Sequence, residues 1–370
     1  MRIQLADPSA FTPPYDHALA AALARAGADV ELVTSRFLYG PVPAARGYEV
    51  NEFFYRRTAR RGLDARGRMA FKLGEHVPDM LRYRRHARGA DVVHFQWLTV
   101  QPLDVALLPR GRPLVLTAHD VIPREPRPGQ IAATRRLVNR MDRVIVHSEH
   151  GAERLRAELG APADRIRVVP HGAFDYLTEL PDEAPLPPEL REVEGPVVLC
   201  FGLWRPYKGI DVLLEAFRAV EGAELWVVGM PRMPVEPLEE LAARVGATVR
   251  FVPRFVTEPE IPAFFRRADV VALPYREIDQ SGVLYTALAF GSPMVLSDVG
   301  GFSEVAGHGA ARLVPPGDPA ALAAVLNELV GSPGERERLA AAARAAAAGP
   351  YSWDEAARRT LAVYEEVLAP

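Results

Sequence analysis

The chain has 370 residues, more than one hydrophobic core usually covers, so two domains are expected. Apolar residues make up 49% and charged residues 25%, the balance of a globular protein, and a net charge of −3 argues against a dedicated nucleic-acid binder. The single cysteine, Cys200, excludes an internal disulfide and any cysteine-cluster metal site.

The N-terminal MRIQLADPSA enters a strand pattern at once, so no signal peptide is expected. No run of about 18 apolar residues exists to span a membrane, and the cytoplasm is the expected compartment. RIQLAD is followed by the helical pattern YDHALAAALARAG and then by DVELVT. The loop between them is proline-rich and places Tyr15, Asp16 and His17 at the helix start, as acceptor-side candidates. Residues 56–88 carry eleven Arg/Lys against three acids. Two readings are open: a solvated helix pair, or a basic face for an anionic membrane or lipid-linked acceptor. The runs DVVHFQW, PLVLTAHD, RVIVHS and IRVVPHG continue the alternation of strands with helical stretches. LTAHD puts His119 beside Asp120 at the carboxyl end of a strand, and VVPHGAF does the same for His171. A lone histidine is more often structural, but ligands bind beyond the carboxyl ends of strands in such sheets.

Residues 179–195, rich in proline and acid, interrupt the pattern and read as a linker. The alternation then restarts with PVVLCFG, AELWVVG, VRFVPRF, DVVALPY and PMVLSD. The domains read as 1–178 and 196–351, each a doubly wound parallel sheet with helices on both faces, facing each other across a cleft. Cys200 lies within PVVLCFG and reads as a small buried hydrophobe. A last helical pattern, YSWDEAARRTLAVYEEVL, has Ser352 as N-cap and Asp354 and Glu355 in its first turn.

Two stretches of the second half carry chemistry. In FGLWRPYKGID, Gly202 ends a strand and Arg205 and Lys208 follow before a helix. A guanidinium fork and an ammonium point charge both suit phosphate oxygens. In DQSGVLYTALAFG, Ser281, Gly282 and Val283 open a helix, whose free amides suit an anion. Together they read as a diphosphate site without a Walker motif or a dinucleotide fingerprint. No acidic triplet suited to Mg²⁺ stands at a strand end, so no metal is expected.

In this order and spacing these stretches resemble those of retaining GT-B glycosyltransferases, specifically glycosyltransferase family 4, over nearly the whole chain. The resemblance implies two Rossmann-like domains, with a C-terminal helix, here 352–370, crossing back to the first and Trp353 as its anchor. It implies transfer of a hexose-type sugar, with retention and without a metal or other cofactor, from a UDP- or GDP-sugar to an acceptor hydroxyl. Arg205 and Lys208 match the basic pair on the donor diphosphate. Gly282 and Val283 match the helix start that meets the phosphates and sugar, and His119 matches the residue over the transferred sugar. The chain departs from the pattern of two glutamates eight positions apart: the second position is Thr286 and the first Ile278. Asp279 is therefore assigned to the donor-sugar side, and Glu304 in GGFSEV is a substitute near the nucleotide. The first loop departs too, with Pro-Pro-Tyr where many relatives have paired glycines. Other readings are a GT-B epimerase or phosphorylase and a catalytically degenerate nucleotide-binding partner subunit.

Overall fold

The apolar runs of the sequence are parallel strands, and their lack of apolar–polar alternation follows from burial on both sheet faces. The computed structural model describes residues 1–59, 65–122, 126–193 and 195–369. Residues 60–64 of the basic stretch 56–88 lie outside the described residues. The chain divides into two units, Met1–Gly172 with Trp353–Pro370, and Ala173–Ser352.

The first unit holds β1 (Arg2–Asp7), β2 (Asp29–Ser35), β3 (Glu49–Phe54), β4 (Val92–Phe95), β5 (Leu114–Thr117), β6 (Arg143–Val146) and β7 (Ile166–Val168). They form one parallel sheet in the order β3-β2-β1-β4-β5-β6-β7. The order reverses between β1 and β4, so the loops leaving those two strands run to opposite sides. The C-terminal helix Trp353–Leu368 belongs to this unit. Its Trp353 ring lies on Gly172, where an added Cβ would stand 2.3 Å from the ring. Asp354 pairs with Arg25 at 2.6 Å, Tyr364 meets His94 at 2.7 Å, and Glu366 meets Arg143 and Arg167. These contacts fix the whole length of the helix, not its start alone.

The second unit holds β8 (Val197–Phe201), β9 (Glu224–Val228), β10 (Val249–Val252), β11 (Val270–Leu273), β12 (Met294–Ser297) and β13 (Ala311–Val314). Their order, β10-β9-β8-β11-β12-β13, repeats the same winding and places the reversal between β8 and β11. The chain enters this unit at Ala173, whose N–H donates to the Tyr351 carbonyl at 2.7 Å. The proline-rich stretch 179–195 lies on it: Leu190 is buried in its core, Arg266 pairs with Glu183, and Arg267 donates to the Val193 and Gly195 carbonyls. Among the described residues no helix is long and apolar enough to cross a membrane.

Candidate functional site

The loops after β8 and β11 flank the reversal point of the second sheet. After β8 the chain turns at Gly202, whose φ of +105° is open to glycine but strained for other residues. A Cβ there would lie 2.9 Å from Lys208 Nζ and 3.0 Å from Val283 Cγ2. The ammonium and the start of the helix Gly282–Ala289 thus converge on one bare patch of backbone. Lys208 is buried, and its Nζ stands 5.0 Å over the Tyr275 ring. Arg205, four residues from the end of β8, is half-buried and forms no ion pair among the described residues. Cys200 is buried, and burial pushes its thiol up to about 11.

The cation loop is held from below. Gly209 has φ +65°, and a Cβ there would meet the Pro274 carbonyl at 2.0 Å, so only glycine lets this loop close on the one after β11. The helix therefore starts at Ile210, later than the periodicity around Lys208 suggests. Arg276 clamps the same loop. Its backbone N–H donates to the Tyr207 carbonyl, its guanidinium to the Pro206 carbonyl and, in a two-pronged pair, to Asp211. Arg276 and Asp211 were not singled out from the sequence; the signal available was an arginine just after a strand with an acid in the facing helix's first turn.

Ser281 precedes the helix Gly282–Ala289 but makes no side-chain cap; its hydroxyl lies 3.4 Å from the Tyr275 hydroxyl. The amides of Gly282 and Val283 find no acceptor among the described residues, and Gly282 is exposed. Two free donors and the positive helix end face the loop that carries Arg205 and Lys208. Thr286 donates its hydroxyl to the Gly282 carbonyl at 3.0 Å, which leaves its oxygen able only to accept. Asp279 is buried in the loop between β11 and this helix. Glu304, half-buried in the helix Phe302–Ala306, follows β12, one strand further out.

The carboxyl edge of the first sheet gathers a second set. His119 donates or accepts at both ring nitrogens, to His147 at 3.2 Å and to Gln96 at 3.2 Å. His147 in turn donates Nδ1–H to the Val169 carbonyl, and Gln96 reaches His94. Trp97 stacks on His119 at 5.1 Å, and Tyr15 stands edge-on to it at 4.6 Å. Tyr15 also touches His171 and Trp353. Burial holds His119, His171, His94 and His147 below the ordinary histidine range, His147 at about 4 and His94 at about 3. Because neutral His147 gives its Nδ1–H to the Val169 carbonyl, its Nε2 accepts, so His119 donates from Nδ1 and carries its lone pair on Nε2, beside the Gln96 side-chain amide. Its neighbours here are His147 and Gln96, not the exposed Asp120 that follows it in sequence. His147, Gln96 and Trp97 went unnoticed in the sequence, although RVIVHS and DVVHFQW put them at strand ends like His119.

The other first-loop candidates separate. Asp16 is buried against Asp7, the last residue of β1, and burial beside that second carboxyl pushes it well up. Asp7 accepts the amides of Ser9, Phe11 and Thr12, so the pair shapes the first loop in place of paired glycines. His17 turns to Tyr48 at 2.6 Å, and burial lowers it to about 4. The structure records no contact between His17 and the His119 group.

Two family models match the chain: "Glycosyltransferase Family 4" over residues 15–173 and "Glycosyl transferases group 1" over 195–332. A D-inositol 3-phosphate glycosyltransferase of Xylanimonas cellulosilytica is 32% identical over 395 residues, spanning 94% of this chain and 89% of the relative. Sucrose-phosphate synthase from Thermosynechococcus elongatus superposes with a TM-score of 0.76 at 20% identity, covering 99% of this chain and 98% of that one. Anabaena HepE in complex with UDP superposes with a TM-score of 0.73 at 20% identity, covering 99% of each.

Proposed function

The chain belongs to glycosyltransferase family 4, with the GT-B fold, and from that premise we propose that it moves a hexose-type sugar from a UDP- or GDP-sugar to an acceptor hydroxyl, with retention and without a metal. The observation that carries this reading is the convergence of Lys208 Nζ and the Val283 side chain on Gly202, at the reversal point of the second sheet. As the glycosidic bond breaks, negative charge grows on the leaving diphosphate and the sugar becomes oxocarbenium-like. Arg205, Lys208 and the amides of Gly282 and Val283 are oriented before the reaction and stabilise that charge without reorganising. Three sources of positive potential in one place supply what a divalent cation supplies elsewhere. The leaving phosphate oxygen takes the acceptor proton, and His119 contacts the sugar as a binding surface. Asp279 is assigned to the sugar hydroxyls. The relative named for D-inositol 3-phosphate and the UDP-bound neighbour support the donor and acceptor classes.

The test is Lys208→Ala in a screen of nucleotide-sugars. Removing one preorganised donor costs on the order of 10²–10³ in rate, with the fold intact by circular dichroism. Turnover near that of the wild type refutes the site. Incubation of donor without acceptor checks the reaction class: epimerised product overturns transfer. Product anomeric configuration, read by NMR, checks retention.

A further inference from the structure

The first unit contains a cavity of about 920 Å³ that the diphosphate chemistry does not use. It opens among the loops after β1, β2 and β4 and the helix Ala65–His86. Its volume lies in the range of small-molecule sites. Three features of its lining point the same way.

The first is apolar surface. Phe11, Leu38, Tyr39, Met69 and Leu73 line it, and all five are exposed large hydrophobic side chains, between 43% and 71% accessible. Solvent-facing apolar residues scattered singly are ordinary; five gathered around one cavity mark a binding surface. The second is charge. Arg36, Lys72 and Arg127 line the cavity and, among the described residues, no acidic side chain does, in a chain whose net charge is −3. The third is strain. Among the described residues only Ala10 and Tyr55 are non-glycine with positive φ, +49° and +53°, and both line the cavity. Such backbone persists where the surroundings over-determine it, and it clusters at ligand sites.

The surroundings of Tyr55 show how. Its N–H donates to Asp79 at 2.7 Å. Its phenol meets His76 Nδ1 at 2.7 Å, and His76 Nε2 meets Asp104 at 2.7 Å. Asp104 also accepts the Val100 amide. With the carboxylate accepting from Nε2–H, His76 Nδ1 accepts the hydrogen bond that the phenol hydroxyl donates, so the phenol oxygen faces Ser9 and Thr99 as an acceptor. The polar end of the cavity is therefore a set of hydroxyls in fixed orientation. It adjoins the His119 group, because Phe11 packs on Trp97 at 5.4 Å and Trp97 stacks on His119.

We propose that this cavity binds the acceptor, and that the acceptor is an anionic amphiphile: a hydroxylated head toward Ser9, Thr99 and Phe11, a phosphate or carboxylate met by Arg36, Lys72 and Arg127, and an apolar body against Tyr39, Met69 and Leu73. This rests on the transferase reading and gives its acceptor a chemical class. Two sources share the chemistry, a free amphiphile and a lipid headgroup in a membrane.

The experiment titrates the full chain with monomeric decyl phosphate, with inorganic phosphate and with uncharged decyl maltoside. Co-sedimentation with phosphatidylglycerol and phosphatidylcholine vesicles runs in parallel. Saturable binding of decyl phosphate is expected, at least tenfold tighter than either control. Leu73→Asp and Arg36→Glu, both at exposed positions and so without cost to the core, each weaken it at least tenfold. Selective sedimentation with phosphatidylglycerol, lost in both variants, assigns a membrane lipid; saturable binding of decyl phosphate with no sedimentation assigns a free amphiphile. Decyl phosphate that does not bind, or binds both variants as it binds the wild type, overturns the proposal. UDP and GDP titration of the wild type is a separate arm. Failure there sinks the transferase reading, whereas failure of the decyl phosphate arm alone leaves that reading standing.

Discussion

Acid should destabilise the first unit through its buried histidines, and His94 is where the effect is cleanest. His94 is fully buried on β4 and hydrogen-bonded to Tyr364, Thr117 and Gln96, with a folded value of about 3. In the unfolded chain it titrates near ~6.5. Below that value the unfolded state binds a proton that the folded state refuses, so stability is lost as pH falls. Each unit of pH below ~6.5 costs about 1.4 kcal/mol, hence about 2 kcal/mol for His94 at about pH 5. Because that pH lies above the folded value, the figure depends on the unfolded value alone. His147, at about 4, adds a loss of the same size, and His119 and His171 act in the same direction. Against total stabilities of ~5–15 kcal/mol, this is a large fraction. The raised carboxyls of Asp7 and Asp16 oppose it, because folded acids with raised values gain stability as pH falls. The discriminating measurement is therefore a difference: hydrogen exchange of β4 and β6 in urea, from about pH 7.5 to about pH 5, for wild type and His94→Gln. The variant should lose about 2 kcal/mol less than the wild type over that range, whatever its starting stability. Parallel curves for the two proteins refute the reasoning.

Gly202→Ala should cost about 1–3 kcal/mol of backbone strain and push Lys208 and Val283 aside; UDP or GDP affinity by calorimetry should fall at least tenfold, and unchanged affinity dissociates Gly202 from the anion site. Asp16→Asn replaces a carboxyl that burial beside Asp7 raises well above its ordinary value. The wild type should lose stability as pH rises from about 4 through the raised Asp16 value, and the variant's stability should fall less steeply over that range in urea titrations; equal slopes refute the raised value.

Much of the fold was legible because parallel strands buried on both faces are unbroken apolar runs, and the chain repeats that pattern twice. The convergence of Gly202, Lys208 and the Gly282 helix start was legible for a related reason: each is tied to a strand end, and strand ends can be read from periodicity. What stayed hidden was which partner each side chain meets. Thr286 stands where the family pattern has its second glutamate, and its hydroxyl is spent on the Gly282 carbonyl. Asp16 read as an acceptor-side candidate at a helix start, but it is buried beside Asp7, and burial raises its carboxyl well above the ordinary value. His17 looked like a neighbour of Tyr15 in function as well as sequence, but two helical residues later its ring faces Tyr48.

The sequence by itself determined the two doubly wound units and the cations at a strand end of the second, because these follow from local periodicity and from where strands end; strand order, and with it the reversal points, came from the tertiary structure. Tertiary structure alone decided which residues share a site. His94, His119, His147 and His171 come from four strands or strand ends that are separate in sequence, and the sheet's hydrogen-bond order sets them side by side. The strain at Ala10 and Tyr55 and the gathering of Arg36, Lys72 and Arg127 around the cavity they line likewise exist only once loops after β1, β2 and β4 meet the helix Ala65–His86. Periodicity specifies a residue's own element; packing specifies its company, and in this protein protonation and binding depend on the company.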